Sequence, residues 1–207
     1  MPNLLKMEIL QNSKKSLPKT AAILKKGGVV ICPTDTVYGF LADATNKKAV
    51  DKIYKIKRRP KSKPLPIFVK DLKMARQLAE IDEKQAKILR KFWPGKYTFI
   101  LKRRKIYSTL NLTAVKNRVL YGVDKNTIAI RIPKHVFLQK LLKKINRPLA
   151  QTSVNISAQE PLKSAQAIFK VFGKNKLIGL IIDGGDLKDA KPSKIFNLTK
   201  GVLTRTR

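Results

Sequence analysis

The chain has 207 residues, 43% of them apolar, and carries 46 Lys+Arg against 13 Asp+Glu for a formal net charge of +33. That length suffices for one α/β domain over residues 1–207 with its own core, and no apolar run approaches the roughly eighteen residues needed to span a bilayer. Cys32 is the only cysteine and His135 the only histidine, which excludes an internal disulfide framework and leaves little for a histidine triad or a multi-cysteine metal site.

In chain order, the opening residues show no basic stretch followed by a long apolar one, so a cytoplasmic location without membrane association is expected. Gly27-Gly28 leads into Val29-Val30-Ile31-Cys32, which reads as a buried strand stopped by Pro33. Asn46 reads as the cap of a helix from 47 to about 57, with Ala49, Val50, Ile53 and Tyr54 inward, giving a strand-loop-helix unit. Residues 65–69 read as a strand, Asp71 and Asp82 as caps of two helices, and Trp93-Pro94-Gly95 as the stop of the second. Residues 97–101, 127–132, 149–153, 177–182 and 194–198 read as further strands, with helices near 135–145 and 164–172. His135, at a strand end before a helix start, is expected to be a first-turn surface residue. Residues 102–126 are polar and aperiodic, and a mobile excursion is expected there. Alternating strands and helices predict an α/β fold with a twisted sheet of mixed parallel and antiparallel strands.

The chemistry should rest on cations, hydroxyls and a bound metal. Pro33-Thr34-Asp35-Thr36-Val37-Tyr38-Gly39 leaves a strand end, where α/β sheets place ligands, although an ordinary capped turn has the same composition. Lys57-Arg58-Arg59-Pro60-Lys61-Ser62-Lys63 puts five cations in seven residues, dense enough to hold phosphates from several directions and equally suited to a helix C-terminus. Thr152-Ser153-Val154-Asn155-Ile156-Ser157 offers hydroxyls and an amide past another strand, groups that also cap turns. Neither GxGxxG nor GxxxxGK[ST] occurs, so a nucleotide would be held in another way. The +33 charge favours polyanions, RNA included, while most of the lysines read as a solvated face.

Taken together and in order, these pieces resemble the YrdC-like family of threonylcarbamoyl-AMP synthases. Residues 28–39 resemble its amino-terminal signature, and Lys57-Arg58-Arg59-Pro60 its lysine-x-arginine-proline motif. Trp93-Pro94-Gly95-Lys96-Tyr97-Thr98, Ala129-Ile130-Arg131-Ile132-Pro133, Ser153-Val154-Asn155, Asp183-Gly184-Gly185 and Pro192-Ser193 resemble the remaining ones. The motif-bearing region covers about residues 20–205.

The resemblance implies a concave basic cavity in which L-threonine, bicarbonate and ATP are joined, with Mg2+ arriving on the ATP phosphates and no direct protein ligands to the metal. By the same resemblance, Lys57 and Arg59 would be catalytic. ATP would be bound by Lys57, Arg59, Lys63, Thr127, Ser153, Asn155 and Arg205, the last chosen over Arg207. Threonine would be bound by Thr34, Thr36, Arg131 and Ser193. The product implies downstream tRNA threonylcarbamoyl-transfer proteins as partners, with tRNA or double-stranded RNA as a further one.

The chain departs from the family pattern at Phe68, where many members have a histidine, at Ala158, where a glycine is usual, and at Lys194, where a threonine is usual. Two other readings follow: an RNA-binding relative without synthase activity, and an enzyme making a different carbamoyl adenylate.

Overall fold

The apolar run after Gly28 forms β2 (Val29–Cys32), buried on both faces, in a computed structural model that describes residues 7–104, 119–187 and 191–206. Both faces are covered because the chain places helices on each side of one ten-stranded sheet of order β1-β8-β2-β3-β7-β4-β6-β5-β9-β10. The other strands are β1 (Glu8–Gln11), β3 (Gly39–Asp43), β4 (Ile67–Phe68), β5 (Tyr97–Lys102), β6 (Thr127–Arg131), β7 (Leu149–Ser153), β8 (Ile178–Asp183), β9 (Lys194–Asn197) and β10 (Thr204–Arg205). Pairing is parallel for β1–β8, β2–β8, β4–β6 and β5–β9 and antiparallel elsewhere, the mixed sheet expected from the alternating pattern.

The two-residue period of the strands sorts their side chains into two cores. Val29, Ile31, Phe40, Ile67, Ile130 and Ala150 face one layer, formed by α2 (Lys47–Lys57), α3 (Leu72–Leu78), α4 (Glu83–Phe92) and α6 (Ala165–Phe172). Val30, Cys32, Leu41, Phe68 and Leu149 face the other, formed by α1 (Leu17–Lys25) and α5 (Val136–Ile145). Helix starts follow the expected caps: Asn46, Asp71 and Asp82 each accept a backbone N–H, and Gln85 completes a capping box with Asp82.

Several expectations are corrected. The strand-loop-helix unit after Gly28 is a β2–β3 hairpin followed by α2, because Gly39–Asp43 pairs with β2 and with β7. The strand expected over 65–69 narrows to Ile67–Phe68, since Pro64 and Pro66 have no N–H to donate and the Leu65 N–H goes to the Gly122 carbonyl at 2.7 Å. His135 is not an exposed first-turn residue: half-buried, it caps α5, its Nδ1 accepting from the Leu138 N–H at 3.5 Å. β1, α1 and β10 were not anticipated from the pattern.

The excursion expected over 102–126 falls chiefly on residues 105–118, outside the described residues. Its flanks are anchored. Arg103 pairs with Ala79, Leu120 is buried, and the Tyr121 N–H donates to the Ala44 carbonyl at 2.9 Å. Gly122 has φ of 71°, and a Cβ there would lie 2.9 Å from Val50 Cγ1, so this approach to α2 needs glycine.

Among the described residues, no helix is long and apolar enough to cross a membrane.

Candidate active site

Alternation along β6 puts Ile128 and Ile130 into the α2–α4 core and leaves Thr127, Ala129 and Arg131 on the opposite face. That opposite face is the one α1 and α5 cover further along the sheet. Where the helices stop, it is open, and a cavity of about 450 Å³ lies against Thr127, Ala129, Arg131, Gln151 and Ser153.

Arg131 is 1% exposed and fixed on every side. Its Nε donates to the Gly95 carbonyl at 2.9 Å, Nη1 to Thr36 Oγ1 at 3.0 Å and Nη2 to Asp35 Oδ1 at 2.6 Å. The guanidinium carbon lies 5.5 Å from the centre of the Phe68 ring, which sits beside it through the β4–β6 register. Burial lowers the Arg131 pKa, and the Asp35 carboxylate opposes that shift. A guanidinium has five N–H donors. Three are engaged, and those that remain can meet a carboxylate entering the cavity.

The 33–38 loop is shaped by its hydroxyls. Thr34 Oγ1 donates to the Val37 carbonyl at 2.8 Å and lies 2.9 Å from Thr36 Oγ1, while accepting from the Thr36 N–H at 2.9 Å. The loop's last residue, Tyr38, ties it to the Asp183-Gly184-Gly185 segment: its hydroxyl accepts from the Gly184 N–H at 2.9 Å and donates to the Gly185 carbonyl at 2.8 Å.

Lys57 closes the far wall. The last residue of α2, it is 2% exposed, and its Nζ reaches the Ser153 carbonyl at 2.6 Å, the Asn155 carbonyl at 3.0 Å and Asn155 Oδ1 at 2.6 Å. Burial pushes its pKa down to about 7, with the nearby Arg59 charge adding to the shift. Three close acceptors favour the protonated form and work against that burial. Ser153 Oγ donates to the same Asn155 Oδ1 at 2.7 Å. Arg59 uses Nε and Nη2 on the carbonyls of Lys63 and Pro64, at 3.1 and 3.0 Å, which holds its guanidinium along the rim.

The structure therefore brings together Thr36, Lys57, Arg59, Lys63, Thr127, Arg131, Ser153, Asn155 and Ser193 around one cavity. Thr34 stands behind Thr36. Ser193 Oγ is 3.1 Å from Thr98 Oγ1, and Thr127 Oγ1 bonds Asp124 at 3.1 Å. Arg205 is apart from them: it is exposed on β10 and is not among the lining residues.

Sequence reasoning missed Asp35 as the partner of Arg131, and missed Gln151 and Asp124 in the wall. It also assigned no role to Ser157, which lines the cavity with a buried Oγ that has no hydrogen-bond partner among the described residues. Asp35 alone had a signal, a carboxylate between two threonines.

The Sua5/YciO/YrdC family model, described as telomere recombination, matches residues 22–207. A provisionally named threonylcarbamoyl-AMP synthase of Methanocaldococcus jannaschii is 36% identical over 209 residues, covering 95% of this chain and 93% of its own. The threonylcarbamoyl-AMP synthase of Pyrococcus abyssi is 34% identical over 182 residues, 87% of this chain and 50% of that one. The crystal structure of Pyrococcus abyssi Sua5 complexed with L-threonine superimposes with a TM-score of 0.79 at 28% identity, over 97% of this chain and 56% of that one. The chain thus spans about half the length of the Pyrococcus protein.

Proposed function

Since the chain belongs to the Sua5/YciO/YrdC family, we propose that it is a threonylcarbamoyl-AMP synthase, joining L-threonine, bicarbonate and ATP into threonylcarbamoyl-AMP with release of pyrophosphate. The observation that carries this reading is the single cavity in which a clamped arginine, Arg131, faces a cationic rim formed by Arg59 and Lys63 and a buried Lys57.

In this reading the free donors of Arg131 bind the threonine carboxylate, and Thr36 and Ser193 flank it. The amino nitrogen combines with bicarbonate, losing water, to give a carbamate. A carbamate oxygen attacks the α-phosphorus, and the bond to the bridging oxygen of the β-phosphate breaks. Arg59 and Lys63 stabilise the charge that grows on the leaving pyrophosphate. Lys57 acts first on the protein, holding Ser153 and Asn155 at the end of β7 so that their hydroxyl and amide face the nucleotide. No protein nucleophile is needed.

Among the described residues, no three His, Cys, Asp or Glu side chains gather into a metal cluster. The hydroxyl and amide wall at Ser153 and Asn155 suits an ion that comes in on phosphate oxygens and keeps much of its water, as Mg2+ does. Once bound, Mg2+ would neutralise triphosphate charge. The product would pass to tRNA threonylcarbamoyl-transfer proteins in the cytoplasm.

The test is incubation with ATP, Mg2+, bicarbonate and labelled threonine. Pyrophosphate release that needs both threonine and bicarbonate is expected, with serine poorer by about 1–3 kcal/mol for the missing methyl group. Folded protein that releases none with every substrate present would overturn the reading in favour of an RNA-binding relative without activity.

A further inference from the structure

We propose that Gln151 is a substrate-contacting residue whose carboxamide holds the carbamate of threonine midway between the carboxylate clamp and the phosphate wall. This role presupposes the synthase reading above and adds to it the group that grips the intermediate.

The period of β7 turns Leu149, Gln151 and Ser153 to one face. Leu149 is covered by the α1–α5 layer, whereas Gln151 and Ser153 both line the cavity. Phe68 pairs with Arg131 on one side and with Leu149 on the other, so Arg131 is level with Leu149 across β4. Each step of two residues along a strand face covers roughly 7 Å. Gln151 therefore stands on the cavity floor one step from the level of Arg131 and one step from Ser153.

Its main chain is fixed, with the Gln151 N–H donating to the Pro66 carbonyl at 2.9 Å. Its side chain is directed as well: Nε2 lies 3.5 Å from the point where a Cβ on Gly39 would stand, and Thr34 Cγ2 lies 3.6 Å from that same point. The amide end is thus beside the loop that carries Thr34 and Thr36.

Gln151 differs from its neighbours in being uncommitted. On the cavity face of β6 and β7, Thr127 is bonded to Asp124, Arg131 to Gly95, Thr36 and Asp35, and Ser153 to Asn155. The half-buried Gln151 carboxamide makes no hydrogen bond among the described residues, and its polar atoms stay open to the cavity. An amide left free in such a floor is available to a ligand.

The chemistry of the intermediate fits that amide. A carbamate on a threonine held at Arg131 must reach the α-phosphorus of an ATP held at Ser153 and Asn155, so it lies over Gln151. One edge of a carbamate presents an N–H beside an oxygen. A primary carboxamide offers the complementary edge: Oε1 accepts from the N–H, and Nε2 donates to the oxygen. The second carbamate oxygen is left free to attack phosphorus. Charge agrees with this placement. Lys57, Arg59, Lys63 and Arg131 line the cavity, and among the described lining residues the only carboxylate, Asp124, is already held by Asn126 and Thr127. A neutral amide gives direction to the anion without repelling it.

The test is calorimetric titration of threonine into protein loaded with Mg2+ and α,β-methylene ATP, which cannot transfer its adenylyl group, with and without bicarbonate. Pyrophosphate release from ATP is followed in parallel. For the wild type, bicarbonate should tighten threonine binding about tenfold or more. Gln151→Leu, which keeps much of the volume, should hold the bicarbonate-free affinity within about threefold, lose the gain, and need about tenfold more bicarbonate for half-maximal pyrophosphate release. Gln151→Glu should lose the gain too, because its carboxylate repels the carbamate. The same gain in Gln151→Leu as in the wild type would overturn the proposal. So would a wild type without any gain, or a Gln151→Leu that binds threonine equally weakly with and without bicarbonate and more than tenfold below the wild type in both. Melting temperatures check folding, and Gln151→Ala replaces Gln151→Leu should the latter fail to fold. Calorimetry reads the carbamate without the chemical step, so a wild type that shows the gain yet releases no pyrophosphate sinks the synthase reading and not this one.

Discussion

Asp35 and Arg131, far apart in sequence, form a buried ion pair 2.6 Å long, and the second Asp35 oxygen accepts the Lys134 N–H at 3.0 Å. One carboxylate thus aims the guanidinium from the β2–β3 loop and ties it to the segment that enters α5. Asp35→Asn keeps the shape and removes the charge, so Arg131 should lose its fixed orientation while staying in place. The threonine KM should rise about tenfold or more, with a smaller change for ATP. Steady-state titration of each substrate at saturating levels of the other checks this. Arg131→Gln should raise the threonine KM further and lower the melting temperature, because it leaves Asp35 buried and unpaired. An unchanged threonine dependence in Arg131→Gln would remove that arginine from the threonine site.

Lys57 and Arg59 should separate in their effects. Arg59→Ala takes a partly exposed cation from the rim, so ATP use should fall on the order of a hundredfold with the fold intact. Lys57→Ala also strips the shared donor from two carbonyls and from Asn155 Oδ1, so it should lose stability as well, by about 2–4 kcal/mol. Denaturant titration beside ATP kinetics distinguishes them.

The Lys57 ammonium gives a pH prediction. Its folded pKa is pushed down to about 7 from the ordinary 10.5, so between those values the unfolded chain binds the extra proton more tightly. Unfolding free energy therefore rises with pH across that window. Relative to Lys57→Met, the wild type should gain about 1 kcal/mol or more between pH 7 and pH 9.5. A flat difference would mean that the three acceptors hold the amine protonated throughout.

Ala158 has φ of 69°, the left-handed region that costs a residue with a Cβ about 1 kcal/mol or more. Ala158→Gly should therefore stabilise the protein by about 0.5–1 kcal/mol, read as a higher denaturation midpoint. The departure from the family's glycine is a strained loop beside the cavity, and relieving it should leave the substrate dependences unchanged.

What the sequence disclosed was local. Asn46 and the spacing of Ala49, Val50, Ile53 and Tyr54 specify α2 through contacts a few residues apart, and α2 forms as read. Gly39-Phe40-Leu41-Ala42-Asp43 is a short apolar run without a decisive period, and pairing on both edges, with β2 and with β7 more than a hundred residues on, makes it a strand. The site divides in the same way. The cations and hydroxyls were legible by type, and most of them meet at one cavity. That Lys57 would spend its three protons on the Ser153–Asn155 loop, or that Asp35 would hold Arg131, depends on contacts across 96 to 98 residues that no motif encodes.

Asp124 stands just ahead of β6, and its Oδ1 accepts from the Asn126 N–H, the Thr127 N–H and Thr127 Oγ1 at 2.9, 2.9 and 3.1 Å. This turn sets the phase of the strand. A residue inserted or deleted between Asp124 and Ile128 would turn Ile128 and Ile130 towards the cavity and drive Arg131 into the apolar layer beneath. The chain can absorb lysine on the exposed faces of its helices, at positions such as Lys84, Lys87 and Lys143, because water rather than a packed neighbour surrounds them. At this point it counts residues instead, so length here is under a stricter constraint than composition.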